Sequence, residues 1–565
     1  MAHTFDRRRF LGFGMATVAA PGLMRAARAA EPAWRTQTVG PFIEVETDSG
    51  RIRGGHSRGA LAFKGIPYAG PVSGTNRFKA APKVTPWTGV RDATVLGPPA
   101  MQGPGTTYGE HEPPYSEDCL VLNVWTPAVN DGGKRPVMFY CHGGGFVSGS
   151  GGQNIQDGAH LAAAYDVVVV ASNHRLGLFG YLYLGELGGE EYSTSGNQGI
   201  LDIIAALSWV RENIATFGGD PGNVMLFGES GGGFKTSTLM AMPSAQGLFH
   251  KAGIQSGPLL RGLPKPIATE TARRVLAGLG IGSQDLRKLA TVPVDKLLKI
   301  QLAGARGAGA LSVPTREWLA GQAQPPSGRA ALGGTDPGGW GSVVDGVRLP
   351  QNPFDPQAPA ISAAVPLLIG SMRDEAVFFE RGNPQFFKAD EAAVTALARR
   401  QLGAAADRIL AVYRQAMPGT TPVERAIAIE TALGMGNGTV VIADLKSLQP
   451  APVYRYRNDY RSNVPVAGTD WTLRACHASD IAVVFANYEI HDLQGDGPGL
   501  AAASKAMSGY FASFARSGVP SAEGQPAWPR YDTQRRAVML LNTECRVADD
   551  PGSQERKLWR SLGLG

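Results

Sequence analysis

The stretch Asn223-Val224-Met225-Leu226-Phe227-Gly228-Glu229-Ser230-Gly231-Gly232 decides how this chain is read. An apolar run of strand length meets the pentad Gly-x-Ser-x-Gly, and a helical pattern over residues 234–242 follows it. A serine at such a strand-to-helix turn is pushed into a strained, exposed position, and glycines flank it because side chains there would collide. The pentad alone is a weak signal in a chain with 74 glycines. Gly55-His56-Ser57-Arg58-Gly59 matches it too, but no helical pattern stands behind that serine, so Ser57 reads as part of a hairpin turn.

Outward from the pentad, strands and helices alternate. Residues 136–140 and 167–171 are continuous apolar runs, the pattern of strands buried on both faces. Ile200, Ile203, Ile204, Leu207, Val210, Ile214 and Phe217 recur at helical spacing until Gly218-Gly219-Asp220-Pro221 stops them. This rhythm predicts an α/β fold with a mostly parallel central sheet and helices on both faces. Residues 31–100 read as short strands and turns, and the sheet resumes at 364–369. Helical patterns over roughly 266–303 and the segment 385–450 read as insertions over the strand ends, where such folds place their pockets. A Gly/Pro-rich stretch occupies 322–341.

A serine hydroxyl is a poor nucleophile until a base takes its proton. On a parallel sheet of this kind the partners follow in the order Ser, acid, His. Of the nine histidines, only His250, His477 and His491 follow Ser230. His250 precedes any acid-bearing strand end, and His477 is preferred to His491 because it leads into the apolar run 481–485. The strand at 364–369 is followed by Asp374 and Glu375, and spacing does not choose between these carboxylates. The negative oxygen of a tetrahedral intermediate needs backbone N–H donors. His142-Gly143-Gly144-Gly145-Phe146, directly after a strand, is a loop that exposes such groups; it lacks the Lys-Ser/Thr ending of a phosphate-binding loop.

The chain has 565 residues, 43% hydrophobic and 18% charged, enough for a large core. Its net charge of +6 does not imply nucleic acid. Five arginines against Asp6 give residues 1–29 a charge of +4, leaving +2 for the rest. Asp6-Arg7-Arg8-Arg9-Phe10-Leu11 resembles a twin-arginine export signal. A short, interrupted apolar stretch follows, then the small-x-small site Ala27-Arg28-Ala29. Residues 1–29 are therefore expected to be a signal peptide read by the twin-arginine machinery, and 30–565 a single catalytic domain, periplasmic or secreted. No membrane anchor is expected. Cys119, Cys141, Cys476 and Cys545 show no metal-ligand spacing, so neither metal nor other cofactor is implied.

Several ordered boxes resemble the type B carboxylesterase family, which includes bacterial esterases and the cholinesterases. They are Phe63-Lys64-Gly65-Ile66-Pro67-Tyr68 with Arg77-Phe78, Ser116-Glu117-Asp118-Cys119, and Gly196-Asn197-Gln198-Gly199 through to the Ser230 elbow. Gln255-Ser256-Gly257, Val344-Asp345-Gly346 and Phe514-Ala515-Arg516-Ser517-Gly518 continue the series. The resemblance implies the α/β-hydrolase fold and hydrolysis of small carboxylic esters by a Ser-His-Glu triad through an acyl-enzyme.

It also places the acid: Arg373-Asp374-Glu375-Ala376 matches the glutamate box and His477-Ala478-Ser479-Asp480-Ile481 the histidine box. Ser230, Glu375 and His477 are then the triad, Gly144, Gly145 and Gly231 the oxyanion donors, and Glu229 and Ser256 supporting residues. Three departures from the family pattern stand out. Gly231 replaces the usual Ala and is expected to loosen the turn. No cysteine lies near 98–102 to pair with Cys119. The cation-binding tryptophan that cholinesterases carry before the Ser116–Cys119 box is missing, and only Tyr108 and Tyr115 are aromatic in that stretch, which disfavours choline esters. The same triad also serves an amidase or carbamate hydrolase. A non-catalytic adhesion relative is disfavoured, because serine, acid and histidine are all present.

Overall fold

The computed structural model describes residues 38–103, 113–307, 340–490 and 492–563. The expected signal peptide, Tyr108, His491 and most of the 322–341 stretch lie outside the described residues.

Thirteen strands form one sheet: β1 (Val39–Thr47), β2 (Gly50–Ser57), β3 (Ala60–Pro67), β4 (Val90–Asp92), β5 (Val121–Thr126), β6 (Arg135–Cys141), β7 (Val168–Ser172), β8 (Gly219–Glu229), β9 (Lys251–Gln255), β10 (Leu367–Met372), β11 (Val453–Asn458), β12 (Ala537–Leu541) and β13 (Arg546–Asp549). Their spatial order is β1-β2-β3-β5-β7-β6-β8-β9-β10-β11-β12-β13, with β4 beside β2. From β7 to β12 neighbouring strands run parallel. The flanks are antiparallel at β1–β2, β2–β3, β3–β5, β5–β7 and β12–β13.

The centre of the sheet is apolar on both faces, as the unbroken runs require. Every residue of β7 is buried, and so are Pro136 to Cys141 of β6. Each fully buried Val or Leu contributes about 1.5–3 kcal/mol, so these strands are fixed by burial more than by local propensity. The helix Gln198–Asn213, extended by a 3₁₀ turn to Phe217, lays Ile200, Ile203, Leu207 and Val210 on the sheet. Helix Leu500–Ser517 is among the elements covering the opposite face, with Met507, Phe511 and Phe514 in the second core.

Two boundaries differ from the sequence reading. The strand expected at 364–369 is Leu367–Met372. Gly370 and Ser371 look like a turn but belong to the ladder: the Tyr456 ring on β11 fills the space a Cβ at Gly370 would need. The helix expected at 234–242 is Gly231–Leu239. Its three leading glycines have poor helix propensity, but there the backbones of Gly145, Cys141 and Gly257 leave no room for side chains.

The insertions are helical as expected. Helices Lys265–Leu279 and Val294–Gly307 fill the first. Glu391–Leu402, Ala406–Ala416, Pro422–Thr431 and Asn437–Lys446 fill the second. The run Pro422–Lys446 is long and apolar enough to cross a bilayer. Its Ile427, Ile429, Val441 and Ile442 are buried within the protein, the disposition of a core helix.

Candidate active site

Ser230 ends β8 with φ 55° and ψ −121°, a conformation a non-glycine residue adopts only under constraint. The constraint is visible in its neighbours. Ser230 N–H donates to the Gln255 carbonyl on β9 at 2.8 Å. A Cβ at Gly228 would meet the Cys141 carbonyl and the Gly232 backbone, and a Cβ at Gly232 would fall on that same carbonyl. The pentad's glycines are thus required by the approach of β6 to the elbow. Ser57 is different: it closes the β2–β3 hairpin opposite Ala60, with Arg58 and Gly59 both at positive φ in the turn.

His477 and Glu375 come together from 102 residues apart: His477 Nδ1 lies 2.5 Å from Glu375 Oε2. The second oxygen, Oε1, accepts from Met372 N–H at 2.8 Å, which fixes the carboxylate at the end of β10. Asp374 turns away. Its N–H donates to the Ala475 carbonyl at 2.9 Å, and its carboxylate faces Arg461 at 3.9 Å. Burial pushes the Asp374 pKa up, against the pull of Arg461 and Arg373. Ser230 keeps 9% of its surface exposed while His477 and Glu375 keep 3% and 1%, so the serine is the most exposed of the three. The rings of Phe379 and Phe378 stand 5.0 and 5.6 Å from the imidazole and shield it.

The imidazole's other nitrogen faces a second acid. His477 Nε2 lies 3.3 Å from Glu229 Oε1, within ion-pair distance but without hydrogen-bond geometry. Burial pushes the Glu229 pKa up to about 8, although the His477 charge opposes it. Burial lowers the His477 pKa, yet the charges of Glu229 and Glu375 outweigh it and raise it to about 9. Asp480, three residues past His477 in the turn before helix Ile481–Val484, is lifted to about 6, mainly by burial. It accepts from Gln255 Nε2 at 2.9 Å. Ser256 is fully buried at φ 48°, its N–H bonded to the Gly370 carbonyl and its hydroxyl without a protein partner among the described residues. His250 is remote in function: its Nδ1 accepts from Val224 N–H at the opposite end of β8.

The glycine loop after β6 lies against the elbow. Gly144 and Gly145 have φ 83° and 60°, which glycine alone adopts freely. The Gly144 carbonyl accepts from Ser148 N–H at 3.0 Å and closes the loop. None of the N–H groups of Gly144, Gly145 and Gly231 donates to a protein atom among the described residues. Gly231, expected to loosen the turn, instead has ordinary helical backbone. What it supplies is room: a Cβ would fall on the Gly145 backbone, so the loop approaches more closely than alanine allows.

The other boxes are architectural. Glu117 pairs with Arg77 at 2.6 Å, and the Asp118 carboxylate accepts from Val72 and Ser73 N–H. All four cysteines are free and buried. A cleft of about 400 Å³ lined by Arg373, Asp459, Arg461 and Arg546 lies behind the acid turn, and no member of the Ser-Glu-His group lines it. Among the described residues no group of three or more His, Cys, Asp or Glu side chains is arranged to hold a metal ion. Three contributors escaped the sequence reading: Asp480, Gln255 and Lys235. Asp480 sat inside the quoted histidine box, and Lys235 was a lone charge in a helix of small and apolar residues.

Residues 41–559 match the carboxylesterase family. The para-nitrobenzyl esterase of Bacillus subtilis is 34% identical over 537 residues, covering 92% of this chain and 99% of its own length. The phenmedipham hydrolase of Pseudarthrobacter oxydans is 31% identical over 92% of this chain and 99% of its own. A carboxylesterase structure from Geobacillus stearothermophilus superposes with a TM-score of 0.76 at 36% identity, covering 91% of this chain and 99% of that one. With the parallel sheet, the strained serine and the histidine–glutamate pair already in place, these matches make the chain a member of the type B carboxylesterase family of the α/β-hydrolase fold.

Proposed function

We propose that this protein hydrolyses small carboxylic esters through an acyl-enzyme on Ser230. The Oγ of Ser230 attacks the ester carbonyl carbon while His477 Nε2 takes its proton. The carbonyl oxygen becomes negative and is met by the N–H groups of Gly144, Gly145 and Gly231. Collapse of the intermediate expels the alkoxide, which leaves with the proton from His477. Water repeats the sequence on the acyl-serine and frees the acid. Glu375 holds the imidazole in one tautomer and stabilises it when charged. In the resting arrangement Nε2 faces Glu229 and is not bonded to Ser230; hydrogen bonds of this kind tighten when substrate binds.

The observation that carries this reading is the gathering, at the carboxyl ends of β6, β8 and β10, of a strained Ser230, three undonated N–H groups and the 2.5 Å His477–Glu375 contact. Relatives named as para-nitrobenzyl esterase and carboxylesterase support the ester class. The reading is tested with p-nitrophenyl esters beside the matching anilides and carbamates. Wild type is expected to turn over the esters fastest, and Ser230→Ala to turn over none. Faster turnover of anilides or carbamates would move the protein to the amidase or carbamate hydrolase class.

Residues 1–29 are proposed to direct export through the twin-arginine route and residues 30–565 to form the mature enzyme. The Arg7-Arg8 pair and the small residues at 27–29 support this.

A further inference from the structure

Lys235 lies one helical turn beyond Gly231 in helix Gly231–Leu239, so both residues are on one helix face. That face meets the glycine loop at two points. Gly231 packs against the Gly145 backbone, and Lys235 Nζ donates to the His142 carbonyl at 3.1 Å. His142 is the residue through which β6 enters the loop. Lys235 is fully buried, an unusual place for an ammonium group.

Its surroundings register the charge. His142 and His174 are buried and stacked, with ring centroids 4.4 Å apart. Burial drives both far below the usual histidine range, and the Lys235 charge drives them further. The pair is neutral, so no imidazolium competes with Lys235 beneath the loop. A fixed cation in a dry interior acts on nearby charge much more strongly than in water.

The geometry points to Lys235 as a positioning residue of the oxyanion hole: its ammonium anchors the His142 carbonyl, sets the peptides leading to Gly144 and Gly145, and places a positive charge behind the forming oxyanion. The inference rests on the esterase reading above. It predicts that Lys235 matters to the transition state and hardly at all to ground-state binding. Truncated or neutralised, it leaves the acyl and alcohol contacts in place while the hole loses its anchor and its charge.

The test compares wild type, Lys235→Met, Lys235→Gln and Ser230→Ala on p-nitrophenyl butyrate. An alkyl trifluoromethyl ketone, which forms a hemiketal oxyanion on the serine, serves as the transition-state mimic. Lys235→Met is expected to lower kcat about 10- to 100-fold with KM within about 3-fold. That is less than the ~10²–10³-fold cost of deleting an oxyanion donor, because Lys235 acts through the loop. Trifluoromethyl ketone affinity should fall in proportion to kcat/KM. Lys235→Gln, which still donates but carries no charge, should fall between Met and wild type.

Circular dichroism and melting establish that each variant is folded, and a misfolded Met variant leaves the decision to Gln. A folded Lys235→Met with kcat within 3-fold of wild type, a Lys235→Gln with kcat equal to wild type, or a loss confined to KM with ketone affinity unchanged, would overturn the inference. If wild type fails to hydrolyse the ester, or Ser230→Ala hydrolyses it equally well, the esterase reading itself is wrong.

Discussion

Glu229 Oε1 stands 3.3 Å from His477 Nε2, so the imidazole lies between two buried carboxylates, with Glu375 on its Nδ1 side. One neutral imidazole is needed to accept the serine proton, yet both carboxylates favour the charged form. Each of Glu229 and His477 shifts the other's proton affinity by its charge.

This sets the first prediction. Activity is lost as pH falls through the apparent pKa of the pair, because protonated His477 cannot act as base. With His477 raised to about 9, the acidic limb of kcat/KM should lie above the ordinary histidine value of 6.5. Glu229→Gln removes one of the charges that raise it, so the limb should move to lower pH by about one unit. A limb that stays put or moves to higher pH would show that Glu229 does not control the base.

Glu375 and Asp374 are adjacent in sequence but face different partners, which separates their variants. Glu375→Gln preserves shape but removes the charge on Nδ1, so turnover should fall ~10³–10⁴-fold, as in other triads. Asp374→Asn removes the charge that faces Arg461 and weakens the bond the carboxylate accepts from Ala475 N–H, and should lower the melting temperature while the folded enzyme keeps most of its turnover. Both are measured at a temperature where each variant is folded. A larger kinetic loss in Asp374→Asn would reassign the acid.

How far the sequence reached can be judged at single residues. The apolar run of β8 and the 3.6-residue spacing from Ile200 to Phe217 are local signals, so those elements could be read directly. The strand end at Gly370–Met372 could not, because its glycine answers to the Tyr456 ring on another strand. The same holds for the Gln255–Asp480 bond, whose partners are 225 residues apart. Glu375 was chosen over Asp374 by resemblance; the direction of each side chain depends on β10 and on the turn before His477, which spacing does not encode. The helix start at Gly231 has no local signal, because its glycines follow from packing against the end of β6, the glycine loop and Gly257 beyond β9.

The cysteines give a prediction independent of catalysis. Burial pushes the Cys141 thiol up to about 12 and Cys119 higher still, and all four cysteines are buried. Native protein should react negligibly with a chromogenic disulfide reagent at pH 8, and four thiols should appear on unfolding without reductant. Fewer than four, with a peptide map showing Cys119 bridged, would contradict the structure.

The export proposal is tested separately. Replacing Arg7 and Arg8 by Lys should leave uncleaved protein inside a bacterial host that has the twin-arginine pathway. Fractionation and amino-terminal sequencing read the outcome. Normal periplasmic delivery of the Lys-Lys protein would exclude that route.

The central claim, that Ser230 carries the acyl group, is tested most directly by trapping it. The protein is treated with a fluorophosphonate, digested and mapped by mass spectrometry, alongside Ser230→Ala and Ser57→Ala. One phosphonyl group per chain on the peptide containing Ser230 is expected in wild type and in Ser57→Ala, with none in Ser230→Ala and ester hydrolysis lost to match. Label on Ser57, or hydrolysis persisting in Ser230→Ala, would contradict the account.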